Sequence, residues 1–275
     1  MTRRGALAAL GASLLSACSS SYAPKPKVAA GTKRVVESYG AGALQRGEWW
    51  VPDRPGRLPT VVLVHGGFWR PGYDRSLEDA VAADLSGRGF LCWNIDYAPA
   101  DRPWPSTLLD VAAGYDHLAG NDRVDPHRVA VVGHSAGGHL ALWLASRHRL
   151  PSGAPGATPR GPRPALAVGQ AAVAALAKAA REGVGGGAVD ALVGGSPDGV
   201  PERYAVADPV ALLPTDVPTV LVHGTKDGEV PLSQSEAYAA AGDAVLRTFD
   251  GGHYEHLDPS SEAIALLRQA LVDQV

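Results

Sequence analysis

The chain has 275 residues, 45% hydrophobic and 19% charged, enough to bury the core of one large domain or two small ones. Its 25 basic and 28 acidic residues leave a net charge of −3, so no basic excess marks a nucleic-acid partner and no acidic run marks a disordered tail. Two cysteines, Cys18 and Cys92, exclude a disulfide framework or a cysteine-rich zinc module, the 33 glycines carry no G-X-Y period, and no apolar run reaches the roughly 18 residues of a membrane span.

The first segment reads as an address. Arg3 and Arg4 precede a small apolar stretch, and Leu15-Ser16-Ala17-Cys18 resembles a bacterial lipobox. The expectation is a signal peptide over 1–17, a lipid on Cys18, and a Ser/Pro/Lys-rich flexible tether over 18–32. That makes the protein an exported lipoprotein of the bacterial cell envelope, held to the membrane through its anchor. Thr2-Arg3-Arg4 also loosely matches a twin-arginine signal, so the export route stays open.

From residue 33 strand-like and helix-like segments alternate. KRVVESYG and QRGEWWVPD read as two short strands joined by a glycine turn, and PTVVLVHGG as a buried strand. SLEDAVAADLSGRG has helical spacing at Leu77, Val81 and Leu85. FLCWNIDY is the next strand, with Cys92 an inert core thiol. PSTLLDVAAGYDHLAG reads as a helix, RVAVVGHS as a strand and AGGHLALWLASRH as a helix whose Trp143 belongs to the core. PALAVGQAAVA, PTVLVHGTKD and AVLRTFDGG read as further strands. PLSQSEAYAAAG and SSEAIALLRQALVDQV read as the last two helices. Alternation of this kind predicts an α/β fold, a mostly parallel sheet of about eight strands with helices on both faces. One domain over 33–275 follows, and residues 178–209, which break the alternation, form a candidate small cap.

The chemistry lies at strand ends. Gly133-His134-Ser135-Ala136-Gly137 is a G-x-S-x-G sequence between an apolar strand and a helix, where a serine nucleophile is presented on a sharp turn. Such a serine needs a base, and the base needs an orienting acid. Asp227 follows an apolar strand and is the first choice for the acid, with Glu229 and Asp250 as rivals. His253, in a glycine loop after the last strand, is the first choice for the base, with His256 as competitor. His65-Gly66-Gly67-Phe68-Trp69 ends the third strand and supplies a candidate oxyanion hole from the amides of Gly67, Phe68 and Ala136. His65 is read as a hydrogen-bonding support for that loop, and His134 and His139 as structural. Trp69, Trp104 and Tyr254 are candidates for the substrate pocket. His253 and His256 lack a third ligand at recognisable spacing, so no metal is assigned.

HGGFW at 65–69, GHSAGGHLA at 133–141, HGTKDGEVP at 223–231 and GGHYEH at 251–256 together resemble the α/β-hydrolase superfamily. More narrowly they look like its kynurenine formamidase-like and small carboxylesterase branch, close also to prolyl oligopeptidase-type hydrolases. The resemblance covers residues 35–275 in order and implies the α/β-hydrolase fold and a serine hydrolase without cofactor. Residue by residue, Ser135 matches the nucleophile, Asp227 the acid and His253 the base. Tyr97 is followed by Ala98-Pro99-Ala100, where such branches often carry arginine. The leading expectation is a carboxylesterase on small esters. Arylformamidase, peptidase and non-catalytic binding module are the alternatives, and oligomeric state stays open.

Overall fold

The computed structural model describes residues 23–242 and 244–275; the signal segment and Cys18 lie outside them. Of the expected tether, residues 29–31 sit against the body: the Thr32 amide donates to the Ala29 carbonyl at 3.1 Å, Ala29 lies beside Gly87 and Gly31 beside Asp53.

The elements in chain order are β1 (Lys33–Ser38), β2 (Arg46–Val51), β3 (Leu58–Val64), α1 (Asp79–Gly87), β4 (Leu91–Ile95), α2 (Ser106–Asp116), β5 (Val124–His134) and α3 (Ala136–Ser146). Then come β6 (Leu166–Gln170), the short helices α4 (Leu176–Arg181), α5 (Ala188–Val193) and α6 (Pro201–Ala207), β7 (Thr219–Gly224), α7 (Ser233–Ala241), β8 (Ala244–Phe249) and α8 (Glu262–Gln274). They build one eight-stranded sheet in the order β1-β2-β4-β3-β5-β6-β7-β8. β1 and β2 form an antiparallel hairpin, β2 joins β4 antiparallel, and every later pairing is parallel. The expected mostly parallel sheet with helices on both faces is therefore found.

Strand periodicity explains the two layers. Val62 and Val64 point to one face and pack with Val129, Val131, Leu140 and Trp143 under α2 and α3. Val61 and Leu63 point to the other and pack with Cys92, Val132, Leu85 and Leu267 under α1 and α8. Alternate residues thus feed alternate cores, the reason β3 reads as a continuous apolar run. In α8, Ala263, Ile264, Leu267, Ala270 and Leu271 are buried at helical spacing, and the Ser261 hydroxyl caps the Ile264 amide. Trp49 and Trp93, paired across β2 and β4, stack at 4.4 Å. Burial pushes the Cys92 thiol well above its ordinary value, as expected of a core residue.

One expected strand is shorter than its apolar pattern. PALAVGQAAVA leaves the sheet after Gln170, because Ala171 turns to φ 45° while its amide still donates to the Val222 carbonyl. The apolar residues beyond it, Ala172 to Leu176, are buried in the helical layer instead. The crossover from β6 to β7 carries α4, α5 and α6, which occupy the region read as a cap. These elements aim the C-terminal ends of β3, β5, β7 and β8 at one edge of the sheet, where ligands bind in open α/β folds.

Candidate active site

Ser135 is the single residue between β5 and α3 and has φ 58° and ψ −118°. A non-glycine residue in such a conformation costs about 1–3 kcal/mol and persists only where its surroundings enforce it. Here the Ser135 amide donates to the Gln170 carbonyl at 2.8 Å, and the Ser135 carbonyl accepts from His139 and Val173, each at 3.2 Å. The glycines of the motif have a steric reason. A Cβ at Gly137 would fall inside the Val64 carbonyl, and one at Gly133 inside the Gly137 carbonyl.

His253 follows β8 and opens a short 3-10 turn over Tyr254–Leu257. Its Nδ1 lies 2.7 Å from Asp227 Oδ2. Asp227 comes from the loop after β7, and its Oδ1 accepts the backbone amides of Glu229 and Val230, both at 2.9 Å. Burial alone would push this carboxyl up. Hydrogen bonds from His223 and His253, and the Val230 amide, outweigh burial and hold it well below the usual carboxylate range. An ionised Asp227 only accepts, so His253 Nδ1 donates and Nε2 is left as the accepting nitrogen.

The rivals fall elsewhere. Asp250 pairs with Lys226 at the surface, 2.7 Å away, and Glu229 lines the cavity while His253 Nδ1 is taken by Asp227. His256 is fully buried, with its Nδ1 3.3 Å from Gln170 Nε2. Burial, with the nearby charge of His253, pushes His256 down to about 3 and His134 well below its ordinary value. Both are neutral near pH 7. His134 Nε2 donates to the His253 carbonyl at 2.9 Å and so fixes the backbone that carries the His253 imidazole. Burial likewise pushes His139 down to about 4, so it is neutral near pH 7, and its Nε2 donates to the Ala207 carbonyl.

The opposite wall is the 65–69 loop. Gly67, Phe68 and Trp69 have φ of 107°, 50° and 54°, three left-handed residues in succession. A Cβ at Gly67 would enter the Tyr73 ring. The conformation is held from outside: Trp69 is buried with its ring edge-on to His139 at 5.3 Å, and its carbonyl accepts from Ala100 at 2.6 Å. His65 stacks on Tyr97 at 4.2 Å, Tyr97 donates to the His65 carbonyl, and His65 Nδ1 donates to the Gly66 carbonyl at 2.7 Å. Ala136 is the first residue of α3, so its amide has no partner within the helix.

Between the walls is a cavity of about 130 Å³ whose lining includes Gly67, Phe68, Ser135, His253 and Tyr254, and also Arg70, Tyr73 and Glu229. Trp69 and Trp104 do not line it, contrary to the sequence expectation. Trp69 turns into the core and borders a neighbouring cavity of about 270 Å³ also lined by Gly186, Gly187, Ala188 and Ala191. Trp104 packs under the Arg203 guanidinium of α6 at 5.9 Å. Sequence reasoning also passed over Arg70, Tyr73, His223 and Ser235. The usable signals were adjacency to HGGFW for the first two and the four-residue spacing of His223 and Asp227 for the third. Ser235 gave none. Among the described residues no group of three or more His, Cys, Asp or Glu side chains could hold a metal ion.

Residues 50–241 match the family described as BD-FAE. Esterase LipC of Mycobacterium tuberculosis is 35% identical over 116 residues, 38% of this chain and 27% of that protein. Esterase LipQ of the same organism is 28% identical over 202 residues, 70% of this chain and 48% of that protein. The chain thus spans less than half the length of these curated relatives. Among solved structures, a truncated carbohydrate esterase from gut microbiota superposes with a TM-score of 0.74 at 18% identity, covering 90% of this chain and 98% of that one. Esterase B from Lactobacillus rhamnosis, solved with a tributyrin phosphonate inhibitor, gives 0.72 at 18% identity, covering 90% and 88%. Both likenesses concern the α/β-hydrolase fold.

Proposed function

This chain belongs to the BD-FAE family of α/β-hydrolases, and on that premise we propose that it is a serine carboxylesterase that cleaves small esters through an acyl-enzyme. One observation carries the reading: His253, hydrogen-bonded to Asp227 at 2.7 Å, lines the same cavity as a serine held at positive φ. His253 Nε2 takes the Ser135 proton as Oγ attacks the ester carbonyl carbon. The carbonyl π pair moves to oxygen, and the amides of Gly67, Phe68 and Ala136 receive the oxyanion. As the carbonyl re-forms, the alkoxide leaves with the proton from His253. Water then repeats the sequence, releasing the acid and restoring Ser135. Asp227 fixes the imidazole tautomer and stabilises its cation.

The 130 Å³ cavity is well below the roughly 300–1,000 Å³ of drug-sized sites, which supports a short acyl group. The HGGFW sequence favours a competing kynurenine formamidase-like reading. The test is a panel of p-nitrophenyl esters of graded length, N-formylkynurenine and peptide amides, with fluorophosphonate labelling. Short esters turn over fastest and the label is lost in Ser135→Ala if the proposal holds. Faster cleavage of N-formylkynurenine would reverse it. The reading extends to place: the Leu15–Cys18 sequence supports a lipid-anchored export form, and a Cys18→Ala protein that stays equally membrane-bound would overturn that part.

A further inference from the structure

His223 is the fifth residue of β7 and is fully buried. Both ring nitrogens have partners: Nδ1 lies 2.8 Å from Ser235 Oγ, and Nε2 lies 3.0 Å from the Val230 carbonyl oxygen. Nε2 is also 3.4 Å from Asp227 Oδ2, the same oxygen that receives His253 Nδ1 at 2.7 Å. A carbonyl and a carboxylate only accept. Nε2 therefore carries the proton and donates it to the Val230 carbonyl with Asp227 Oδ2 close beside it, and Nδ1 accepts from the Ser235 hydroxyl. Ser235, near the start of α7, is also fully buried, and neither residue lines the Ser135 cavity.

We propose that Ser235 and His223 form a positioning relay behind Asp227, ordering the 227–230 loop through the Val230 carbonyl and setting a second N–H dipole close to Asp227 Oδ2, so that its charge is divided between two imidazoles. The inference rests on the reading of Ser135, Asp227 and His253 as a hydrolytic set. Charge that Oδ2 gives to His223 is withdrawn from the His253 cation. Removing the His223 N–H returns it, so His253 becomes easier to protonate while the loop loses an anchor. Ser235 strengthens the relay by polarising the ring, so its loss acts in the same direction and more weakly.

The other groups facing Asp227 and His253 do not mask this effect. His134 on β5 and His256 beyond β8 are held neutral by burial. Lys226 is paired with Asp250 at the surface, and Glu229, which lines the cavity with His253, is unchanged in every variant, so its influence cancels in the comparison.

Three variants test the relay: His223→Phe removes both nitrogens at similar volume, Ser235→Ala removes only the hydroxyl, and Ser235→Thr keeps it. NMR titration of the His253 imidazole needs no substrate, and the acidic limb of kcat/KM for p-nitrophenyl acetate reads the same group. The His253 midpoint is expected to rise by about half a pH unit or more in His223→Phe, less in Ser235→Ala, and not at all in Ser235→Thr. In His223→Phe, kcat falls about tenfold with KM within about twofold. Ser235→Ala adds nothing in the His223→Phe background, because the relay is already cut. A midpoint that is unmoved or lowered in His223→Phe overturns the proposal. If that variant does not fold, an equal midpoint in Ser235→Ala and Ser235→Thr overturns it instead. A wild-type protein that hydrolyses no ester defeats the esterase reading, a failure the substrate-free titration separates from failure of the relay.

Discussion

The two walls of the Ser135 cavity are built in opposite ways. On the His253 wall, hydrogen bonds hold side chains: His253 on Asp227, Asp227 on two backbone amides, Gln170 on His256. On the Gly67–Phe68 wall, packing holds a backbone that would otherwise relax, with Trp69 wedged against His139 and Tyr73 filling the space a Cβ would need. The first arrangement fixes where a proton can go, and the second fixes where amides point. The first is therefore sensitive to polarity at constant volume, and the second to volume at constant polarity.

The largest expected effects test the first wall. Ser135→Ala removes the nucleophile and is expected to lower kcat about 10⁶-fold, measured by burst and steady-state hydrolysis of p-nitrophenyl acetate. Its fold survives, since the Ser135 backbone contacts do not involve the hydroxyl. Asp227→Asn keeps the volume but lets the amide offer N–H to His253, holding the wrong tautomer, at a cost of about 10⁴ in kcat. A loss below tenfold would mean that the orienting acid is elsewhere and would break the comparison at its base.

The walls also differ in the sign of their pH dependence. Beside His253, burial pushes His256 down to about 3. The unfolded chain takes that proton near pH 6.5 and the folded chain does not, so His256 removes stability as pH falls from about 6.5 towards 3. Near the other wall, Glu78 is buried at the end of a 3-10 turn close to Tyr97, and burial pushes its carboxyl up to about 8. The unfolded chain releases that proton near pH 4.3, so Glu78 removes stability as pH rises from there towards 8. Each slope approaches about 1.4 kcal/mol per pH unit inside its window. Urea unfolding of Glu78→Gln is expected to lose the high-pH slope and keep the low-pH one, while His256→Gln does the reverse. Equal pH profiles for wild type and both variants would show that neither burial penalty operates.

The sequence carried the first wall better than the second for a physical reason. Ser135, Asp227 and His253 stand at strand ends, and each advertises itself through a short local pattern of glycines and an apolar run. The alternation that sets the sheet is equally local, so the order of the strands and of the long helices was legible from residue 33 on, while the short helices α4, α5 and α6 were not, because their Gly/Ala-rich segment carries no clear apolar period. What was not legible depends on contacts far apart in sequence. Trp69 sits next to the oxyanion loop in the chain but turns inward, because His139 of α3 offers its ring there. Trp104 follows a strand at the right edge but is covered by Arg203, 99 positions later. Tyr254, next to His253 in the chain, does line the cavity. The early end of β6 at Gln170 was hidden because the alanines beyond it are as apolar in a helical layer as in a strand.

The smaller effects test the second wall. Gly185 has φ 72°, and a Cβ there would press into the Phe68 ring. Gly185→Ala adds one methyl and no polarity, yet it should shift Phe68 and cost about 10-fold in kcat/KM, against the hundredfold or more of losing an oxyanion donor. Arg70→Met sets the lower bound. The Arg70 guanidinium donates to the Gly185 carbonyl at 2.5 Å and lies 5.6 Å from the Phe68 ring, at the boundary between the 130 Å³ and 270 Å³ cavities. It is exposed, so the bond competes with water and contributes about 1 kcal/mol or less. Methionine keeps most of the aliphatic length while cutting the tie. The expected result is kcat within about twofold and a KM for bulky alcohol esters changed by no more than about fivefold, with acetyl esters of small alcohols unaffected. A large fall in kcat would mean that a charge, and not packing alone, holds the amides of this wall in line, and the contrast between the walls would fail there.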